Sequence, residues 1–369
     1  MEQRAGAMEG LVSRYMLNRE FYRGKKVFLT GHTGFKGTWL SLMLERLGAE
    51  VYGYALKPET EFYPKAHPQI VRSWEGYITD RRLLLEALQE AKPEIVIHFA
   101  SHSTLNRSYE ITDYIFDTNV MGVVNLLEGV RKLQSVQAVL VVTSDKCYRN
   151  LESDEPYGEE SALGAQDPYS TSKACQELVT ECYRNSFFNG REQNIPIATA
   201  RASNVLGGGD YNLDRLLPSL LDSYLKGEKA VIRNPHAVRP WQNVLDVLGG
   251  YLTLTEKMAE SADGGSKFCE AFNFGPNEDG LITVGAMAEK LCRYFPRGDV
   301  RIVSAEKSVK ETCILKISSK KAKEILGWEP GYTIDDTLRM AAEFAVRENG
   351  GEPVRDICME YIDKYFGVD

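Results

Sequence analysis

An α/β fold, with helices packed on a parallel sheet and a smaller lobe toward the C-terminus, is predicted by three observations. Short apolar runs alternate with helical patterns as far as about residue 203. A glycine-rich turn, Gly31-His-Thr-Gly34-Phe-Lys-Gly37, joins the first apolar run to the first helix. Beyond residue 203 the alternation gives way to a glycine cluster, short strands and longer polar loops. Strands that alternate with helices need crossover connections, and right-handed crossovers build a parallel sheet.

Val27-Phe-Leu29 reads as a short buried strand that runs into the glycine turn. Leu40, Met43, Leu44 and Leu47 recur at i, i+3, i+4 and i+7, the spacing of an amphipathic helix, and Gly48 ends it. Val51-Tyr-Gly-Tyr54 is the second strand. Leu84, Leu85 and Leu88 mark a helix that stops before Pro93, because proline lacks an amide proton and crowds the preceding turn. Ile95-Val-Ile-His-Phe99 is the third strand, Asn119 to Leu133 a helix, and Ala138-Val-Leu-Val-Val142 the fourth strand. A long helix runs from Pro168 to about Phe188, and Ile197-Ala-Thr-Ala200 is the fifth strand. Residues 21–203 make the main domain, with sheet strands expected to return near 231–250 and 270–277, and residues 204–369 make mainly the smaller lobe. Residues 1–20 read as an N-terminal extension, with Met8 as an alternative start.

Composition narrows the function classes. The 369 residues are 43% hydrophobic and 26% charged, as in an ordinary soluble globular protein. A net charge of −8 argues against non-specific nucleic-acid or anionic-membrane binding. The seven cysteines are scattered and contain no Cys-x-x-Cys pair, so neither a disulfide framework nor a zinc site is expected, and no metal. That fits a reducing cytoplasm. No apolar run approaches the roughly 18 residues of a membrane span, and the first residues lack the apolar core of a signal peptide.

The glycine turn follows a strand and opens a helix. Amides at a helix start, with the helix dipole, favour a pyrophosphate, and glycines let the backbone approach it. A Rossmann-type dinucleotide site follows; the alternative is a tight strand-to-helix turn with no ligand. The second strand ends in Tyr54-Ala-Leu-Lys57, with no carboxylate before Glu59. Lys57 would either meet a 2′-phosphate or stay solvated, and NAD is the expected cofactor.

Tyr169 and Lys173 stand four residues apart on the long helix and share a face. A free tyrosine has a pKa of roughly 10. A nearby ammonium and an oxidised nicotinamide both favour the phenolate, so Tyr169 is expected to take a hydroxyl proton near neutrality. Ser144, Asp145 and Lys146 follow the fourth strand directly. Ligands of open α/β sheets sit beyond the carboxyl ends of the strands, which points these three at the crevice. They read either as a hydrogen-bonding hydroxyl, an acid and a base, or as a surface turn with an Asp–Lys ion pair.

The chain resembles the extended short-chain dehydrogenase/reductase family and, within it, the nucleotide-sugar 4,6-dehydratases, nearest to the group acting on CDP-glucose. The resemblance rests on residues 24–37, Thr143-Ser-Asp-Lys-Cys-Tyr148, Asp167-Pro-Tyr-Ser-Thr-Ser-Lys173, Tyr183-Arg-Asn-Ser-Phe-Phe188, Asn204-Val-Leu-Gly-Gly-Gly-Asp210 and residues 232–241. In dTDP-glucose enzymes the Ser-Asp-Lys triplet ends in Glu. The resemblance implies that Tyr169 removes the proton of a sugar 4-hydroxyl while C4 passes a hydride to NAD, with Lys173 on the nicotinamide ribose. Lys146 would then remove the C5 proton and Asp145 protonate the leaving 6-hydroxyl, with Ser144 on a sugar hydroxyl. It also implies cofactor contacts at Gly31, Thr33, Gly34, Phe35, Lys36, Gly37, Asp80, Ala100 and Ser101. His102, Asn204, Arg215, Arg233 and Arg239 would touch a CDP-hexose, and a homodimer would pack through residues 113–133 and 168–188.

Three stretches depart from that pattern, one of them Leu315-Lys-Ile-Ser-Ser319 in place of Leu-Lys-Leu-Asp-Cys. Gly76-Tyr-Ile-Thr-Asp80 replaces the family's Gly-Asp-Ile-Arg-Asp near the adenine, and His98-Phe-Ala-Ser-His-Ser-Thr-Leu-Asn106 replaces His-Met-Ala-Ala-Gln-Pro-Leu-Val-Arg beside the nicotinamide and sugar. His102 therefore either touches substrate or satisfies a loop hydrogen bond. Two other functions remain open. A nucleotide-sugar 4-epimerase needs Tyr169 and Lys173 but has no use for Asp145 and Lys146. A silent dinucleotide-sensing module needs none of the four.

Overall fold

The computed structural model describes residues 17–103, 106–188, 190, 193–232, 234–261, 266–296, 298–302 and 314–368. Its first half runs β1 (Lys26–Thr30), α1 (Phe35–Arg46), β2 (Glu50–Ala55), α2 (Phe62–Ala66), β3 (Arg72–Glu75), α3 (Arg81–Ala91) and β4 (Ile95–His98). Then come α4 (Thr112–Phe116), a π-helical turn over Asp117–Met121, α5 (Gly122–Val130), β5 (Ala138–Val142), α6 (Pro168–Tyr183) and β6 (Ile197–Ala202). The second half contains β7 (Asn204–Leu206), α7 (Leu216–Lys226), β8 (Lys229–Ile232), β9 (Val238–Asn243), α8 (Val244–Glu260), β10 (Ala271–Phe274), β11 (Leu281–Thr283), α9 (Val284–Cys292), β12 (Asp299–Ile302), α10 (Ile334–Asn349) and α11 (Val354–Phe366).

Seven strands form one sheet in the order β10-β6-β5-β4-β1-β2-β3, and every pairing in it is parallel. The order reverses direction between β1 and β4, which opens a crevice at their carboxyl ends. Alternate side chains of a strand point to opposite faces. Val27, Leu29, Ile95, Ile97, Leu140 and Ala200 pack with α1, α8 and α11 in one core. Phe28, Val96, Val139, Val141 and Ile197 pack with α3 and α5 in a second. A third core, built on Leu217, Leu220, Trp241, Met287, Leu291 and Leu338, lies in the second half of the chain.

Four features differ from the sequence expectation. The edge strand β3 has a single buried residue, Trp74, so it carries no apolar run to announce it. Helix continues from Thr112 through the π-turn to Val130, starting earlier than Asn119. No described residue of 231–250 joins the seven-stranded sheet. β8 pairs with β12 and β9 with β7 and β11 in two small sheets, while 244–260 is the helix that covers the large one. Apolar runs in that segment serve a buried helix, which periodicity alone does not separate from a buried strand. Finally, the described end of the N-terminal extension is docked. The Asn18 amide donates to Glu256 Oε2 at 2.9 Å, and Arg19 Nη1 donates to the Phe366 carbonyl at 3.0 Å.

Leu140 is fully buried at the centre of the sheet and Leu151 is 75% exposed. Leu140→Ala is expected to cost about 2–5 kcal/mol in denaturant unfolding, through lost burial and a cavity. Leu151→Ala is expected to stay within about 0.5 kcal/mol of the parent.

Candidate active site

The site is assembled from the carboxyl ends of β1, β4 and β5 and one face of α6. Gly31 leaves β1 with φ +72°, a left-handed conformation that side chains disfavour. A Cβ on Gly37 would lie 2.1 Å from the Gly31 carbonyl oxygen, so no other residue fits there without moving the turn. Gly34 is different: its Cβ would meet only that oxygen, at 3.5 Å. The first intrahelical bond of α1 is Thr38 N–H to Gly34 O at 2.8 Å, and no side chain caps the helix. The amides of Phe35, Lys36 and Gly37 are therefore available to an anion, with the helix dipole behind them. Thr33 ties the turn to the end of β2 by donating to the Leu56 carbonyl at 3.0 Å. The residues present fit a dinucleotide pyrophosphate.

Beyond β4, the Ala100 amide donates to Thr30 Oγ1 at 3.1 Å, and Ser101 Oγ accepts from Lys173 Nζ at 3.0 Å. The next residue, His102, is clamped at both backbone groups by one side chain. Its amide donates to Asn119 Oδ1 at 2.7 Å, and Asn119 Nδ2 donates to its carbonyl at 3.1 Å. Asn119 Nδ2 also reaches Ser172 Oγ at 2.8 Å, and Ser172 donates to the Tyr169 carbonyl at 2.6 Å. Asn119 was missing from the residues picked out by sequence. In the sequence it is only a lone amide in an apolar helical pattern; the structure buries it fully within a π-turn, where it meets α6. The His102 ring packs edge-on to Tyr114, and burial lowers its pKa.

Thr143 leaves β5 and the chain turns over Ser144, Asp145 and Lys146. Ser144 Oγ caps that turn, accepting from the Lys146 amide at 3.3 Å and donating to Asp145 Oδ1 at 3.0 Å. Asp145 is 1% exposed and forms no ion pair with Lys146 among the described residues, so this is not a surface turn. Its other oxygen, Oδ2, has no protein partner.

On α6, burial pushes Tyr169 up to about 12, against a hydrogen bond with Ser144 that pulls it down. The folded chain alone does not lower Tyr169 toward neutrality as its proximity to Lys173 suggested, because desolvation outweighs the charges around it. Lys173 is 2% exposed, and burial together with the Lys36 ammonium brings it down to about 7. Lys36 itself is brought to about 8 by burial and by Arg215.

The remaining residues fall into two groups. Arg215 reaches across the crevice, donating to Asp210 Oδ2 at 3.0 Å and to Ser103 Oγ at 3.1 Å. Asn204 sits on β7 in register with Trp241 of β9, and Arg239 on β9 donates to the Val238 carbonyl at 3.0 Å. Arg233 lies outside the described residues. Asp80 is exposed and caps α3 through the Leu83 amide at 3.0 Å, a role the sequence reading did not assign. Lys57 is exposed, 3.7 Å from Glu75. A cavity of 510 Å³ lined by Glu177, Glu181, Arg184 and Arg201 lies on another side of α6, and none of Ser144, Asp145, Tyr169 or Lys173 borders it.

The profile of the family described as GDP-mannose 4,6 dehydratase matches residues 28–341. The chain belongs to this family. A CDP-glucose 4,6-dehydratase of Salmonella typhimurium is 41% identical over 88% of this chain and 91% of its own. A dTDP-glucose 4,6-dehydratase of Xanthomonas campestris pv. campestris is 26% identical over 73% of this chain and 77% of its own. Among solved structures, the epimerase Mth375 of Methanothermobacter thermautotrophicus matches with TM-score 0.76 and 23% identity over 95% of this chain and 98% of its own. A dTDP-glucose 4,6-dehydratase of Bacillus anthracis in complex with NAD matches with TM-score 0.72 and 22% identity over 88% and 98%. The same fold thus serves a dehydratase and an epimerase, and the fold does not choose between them.

Among the described residues no cluster of His, Cys, Asp or Glu could hold a metal ion, and no helix is long and apolar enough to cross a membrane. Lys173 has a folded pKa below its unfolded value. Between about pH 7 and the ordinary lysine value of about 10.4 the unfolded chain therefore binds the extra proton, and the group makes stability rise with pH. In cofactor-free protein, Lys173→Met is expected to flatten the unfolding-versus-pH curve over that window by roughly 1 kcal/mol per pH unit and to stabilise the protein at pH 7.

Proposed function

We propose that the protein is an NAD-dependent CDP-glucose 4,6-dehydratase that releases CDP-4-keto-6-deoxyglucose. The observation that carries this reading is the placement of Asp145, buried and with one oxygen unpartnered, beside the hydroxyls of Ser144 and Tyr169. An epimerase on the same fold needs Tyr169 and Lys173 and leaves Asp145 and Lys146 without work. Similarity over nearly the whole chain to a CDP-glucose 4,6-dehydratase supports the choice of nucleotide.

The amides of the glycine turn, with Lys173 and Ser101, would hold the cofactor. Bound NAD supplies a hydride acceptor for C4, a hydride donor for C6 and, when oxidised, a positive charge that favours the Tyr169 phenolate. Tyr169 takes the 4-hydroxyl proton. The ketone so formed acidifies the C5 proton, which Lys146 removes. Asp145 protonates the 6-hydroxyl, which departs as water. Proton counting is instructive: the C5 proton is replaced after elimination, so the one taken from O4 balances the one placed on O6. Ser144, bonded to both Tyr169 and Asp145, stands between the two groups. Arg215, Arg233 and Arg239 suit the diphosphate, since guanidinium forks match phosphate oxygens.

We also infer a homodimer. Met121 beside α5 and Leu178 on α6 are exposed apolar side chains on the two helices expected to pair across the dyad. The division of the chain near residue 203 and a cytoplasmic, polysaccharide-precursor role belong to the same reading.

Incubation with NAD and CDP-, dTDP-, UDP- or GDP-glucose, followed by mass spectrometry, tests it. Loss of one water from CDP-glucose alone is expected; isomers of unchanged mass would favour the epimerase. Tyr169→Phe is expected to lower the rate by about 10²–10⁴-fold. Lys146→Ala is expected to keep C4 oxidation, seen as nicotinamide absorbance, and to stop water loss.

A further inference from the structure

Behind the catalytic turn lies a buried ion pair that the chemistry above does not use. Glu177 stands one helical turn beyond Lys173 on α6, and Arg201 lies on β6; both are 4% exposed. Arg201 Nη2 donates to Glu177 Oε2 at 2.9 Å, and Thr199 Oγ1 donates to the same oxygen at 2.6 Å. The other oxygen, Oε1, accepts from Thr143 Oγ1. Arg201 continues outward, donating from Nη1 to Tyr148 Oη at 2.8 Å and to the Glu159 carbonyl at 3.0 Å. Its guanidinium stands 5.0 Å from the Tyr148 ring centroid. Tyr148 in turn donates to Asn273 Oδ1 at 2.7 Å.

Thr143 and Tyr148 are the two ends of the segment that carries Ser144, Asp145 and Lys146. One end is bonded to Glu177 and the other to Arg201. Glu177 shares its helix with Tyr169 and Lys173. We propose that the Glu177–Arg201 pair is a positioning element that holds the acid–base turn in register with the redox helix, so that loss of water follows oxidation in one site. The proposal rests on the dehydratase reading.

The physical argument is one of rigidity. A buried ion pair contributes little net stability against an apolar replacement, because desolvation offsets attraction. Its value lies in direction: a carboxylate and a guanidinium with fixed hydrogen-bond geometry specify where their neighbours sit. Oxidation at C4 depends on Tyr169, which α6 carries and which shares one hydrogen bond with the turn, at Ser144. Elimination depends on Asp145 and Lys146, which lie on a different element and need a link to α6.

The test uses the full-length protein with NAD and CDP-glucose. Each variant is measured for C4 oxidation by nicotinamide absorbance and for water loss by mass spectrometry. Hydrogen–deuterium exchange of residues 143–148 and thermal unfolding are followed separately, in protein without substrate. In Glu177→Gln, water loss is expected to fall roughly ten- to hundredfold relative to oxidation, with little change in KM and faster exchange in 143–148. Glu177 also favours the Lys173 ammonium, so some loss of oxidation accompanies it. Thr143→Val separates the two effects, because it cuts the link to the turn and keeps the charge; it is also the variant that decides if Glu177→Gln does not fold. Its ratio of water loss to oxidation is expected to fall as well, whereas Thr199→Val, which touches the same carboxylate from outside the turn, keeps the wild-type ratio. Equal loss of both steps in Thr143→Val, with exchange in 143–148 unchanged, overturns the proposal. A wild-type protein that removes no water from any nucleotide sugar overturns the dehydratase reading itself, whatever the exchange data show about the turn.

Discussion

Helix α6 turns a polar face into the protein, and the need to satisfy that face organises the site. Of its buried residues, only Ala174 is purely aliphatic; the others are Tyr169, Ser170, Ser172, Lys173, Gln176, Glu177 and Thr180. A buried polar group without a partner costs free energy comparable to the hydrogen bond it lacks. Four of these draw specific neighbours from other elements: Ser101 to Lys173, Asn119 to Ser172 and Gln176, Thr143, Thr199 and Arg201 to Glu177. Because Ser101 follows β4, Thr143 follows β5 and Arg201 lies near the end of β6, satisfying α6 also sets the positions of the segments beyond those strands.

The same burial shapes the charges. Lys36, Lys173 and Arg215 converge on a crevice whose buried carboxylate is Asp145. Crowding among the cations and desolvation both oppose the ammonium form, which makes the two lysines easier to neutralise than solvated ones. Fixed positive groups around a dry crevice suit a ligand with several phosphates, since part of the repulsion among them is relieved when an anion arrives. Tyr169 moves the other way, upward, because the charged form of a phenol is negative and burial penalises it. In the dehydratase reading proposed above, a positive partner that arrives with the cofactor would offset that penalty.

Much of the fold was legible in the sequence because its strands are continuous apolar runs bounded by turn residues. β5 was read at Ala138–Val142, the span it occupies, for that reason. The elements that escaped have no such contrast. β3 is an edge strand with one buried side chain, α2 is a single short turn of five residues, and the 244–260 helix is so thoroughly buried that it imitates the strands it covers. Within the site, Tyr169, Lys173, Ser144, Asp145 and Lys146 could be named from spacing and strand position. Asn119, Glu177 and Arg201 could not, since a lone polar residue in an element announces neither burial nor a partner distant in sequence.

The sequence by itself determined the glycine turn, the strand–helix alternation and the five candidate catalytic side chains, because each is a local pattern: a steric demand on glycine, a repeat of hydrophobicity, a place at the end of a strand, or a spacing of four on one helix. Tertiary structure alone decided which of those side chains meet and in what electrostatic setting. Asp145 is buried instead of paired on the surface, Asp80 caps a helix, and the segment after β4 is held by an asparagine from a π-turn. These outcomes depend on desolvation and on contacts between residues far apart in the chain, and such quantities have no value until the sheet and its helices have packed.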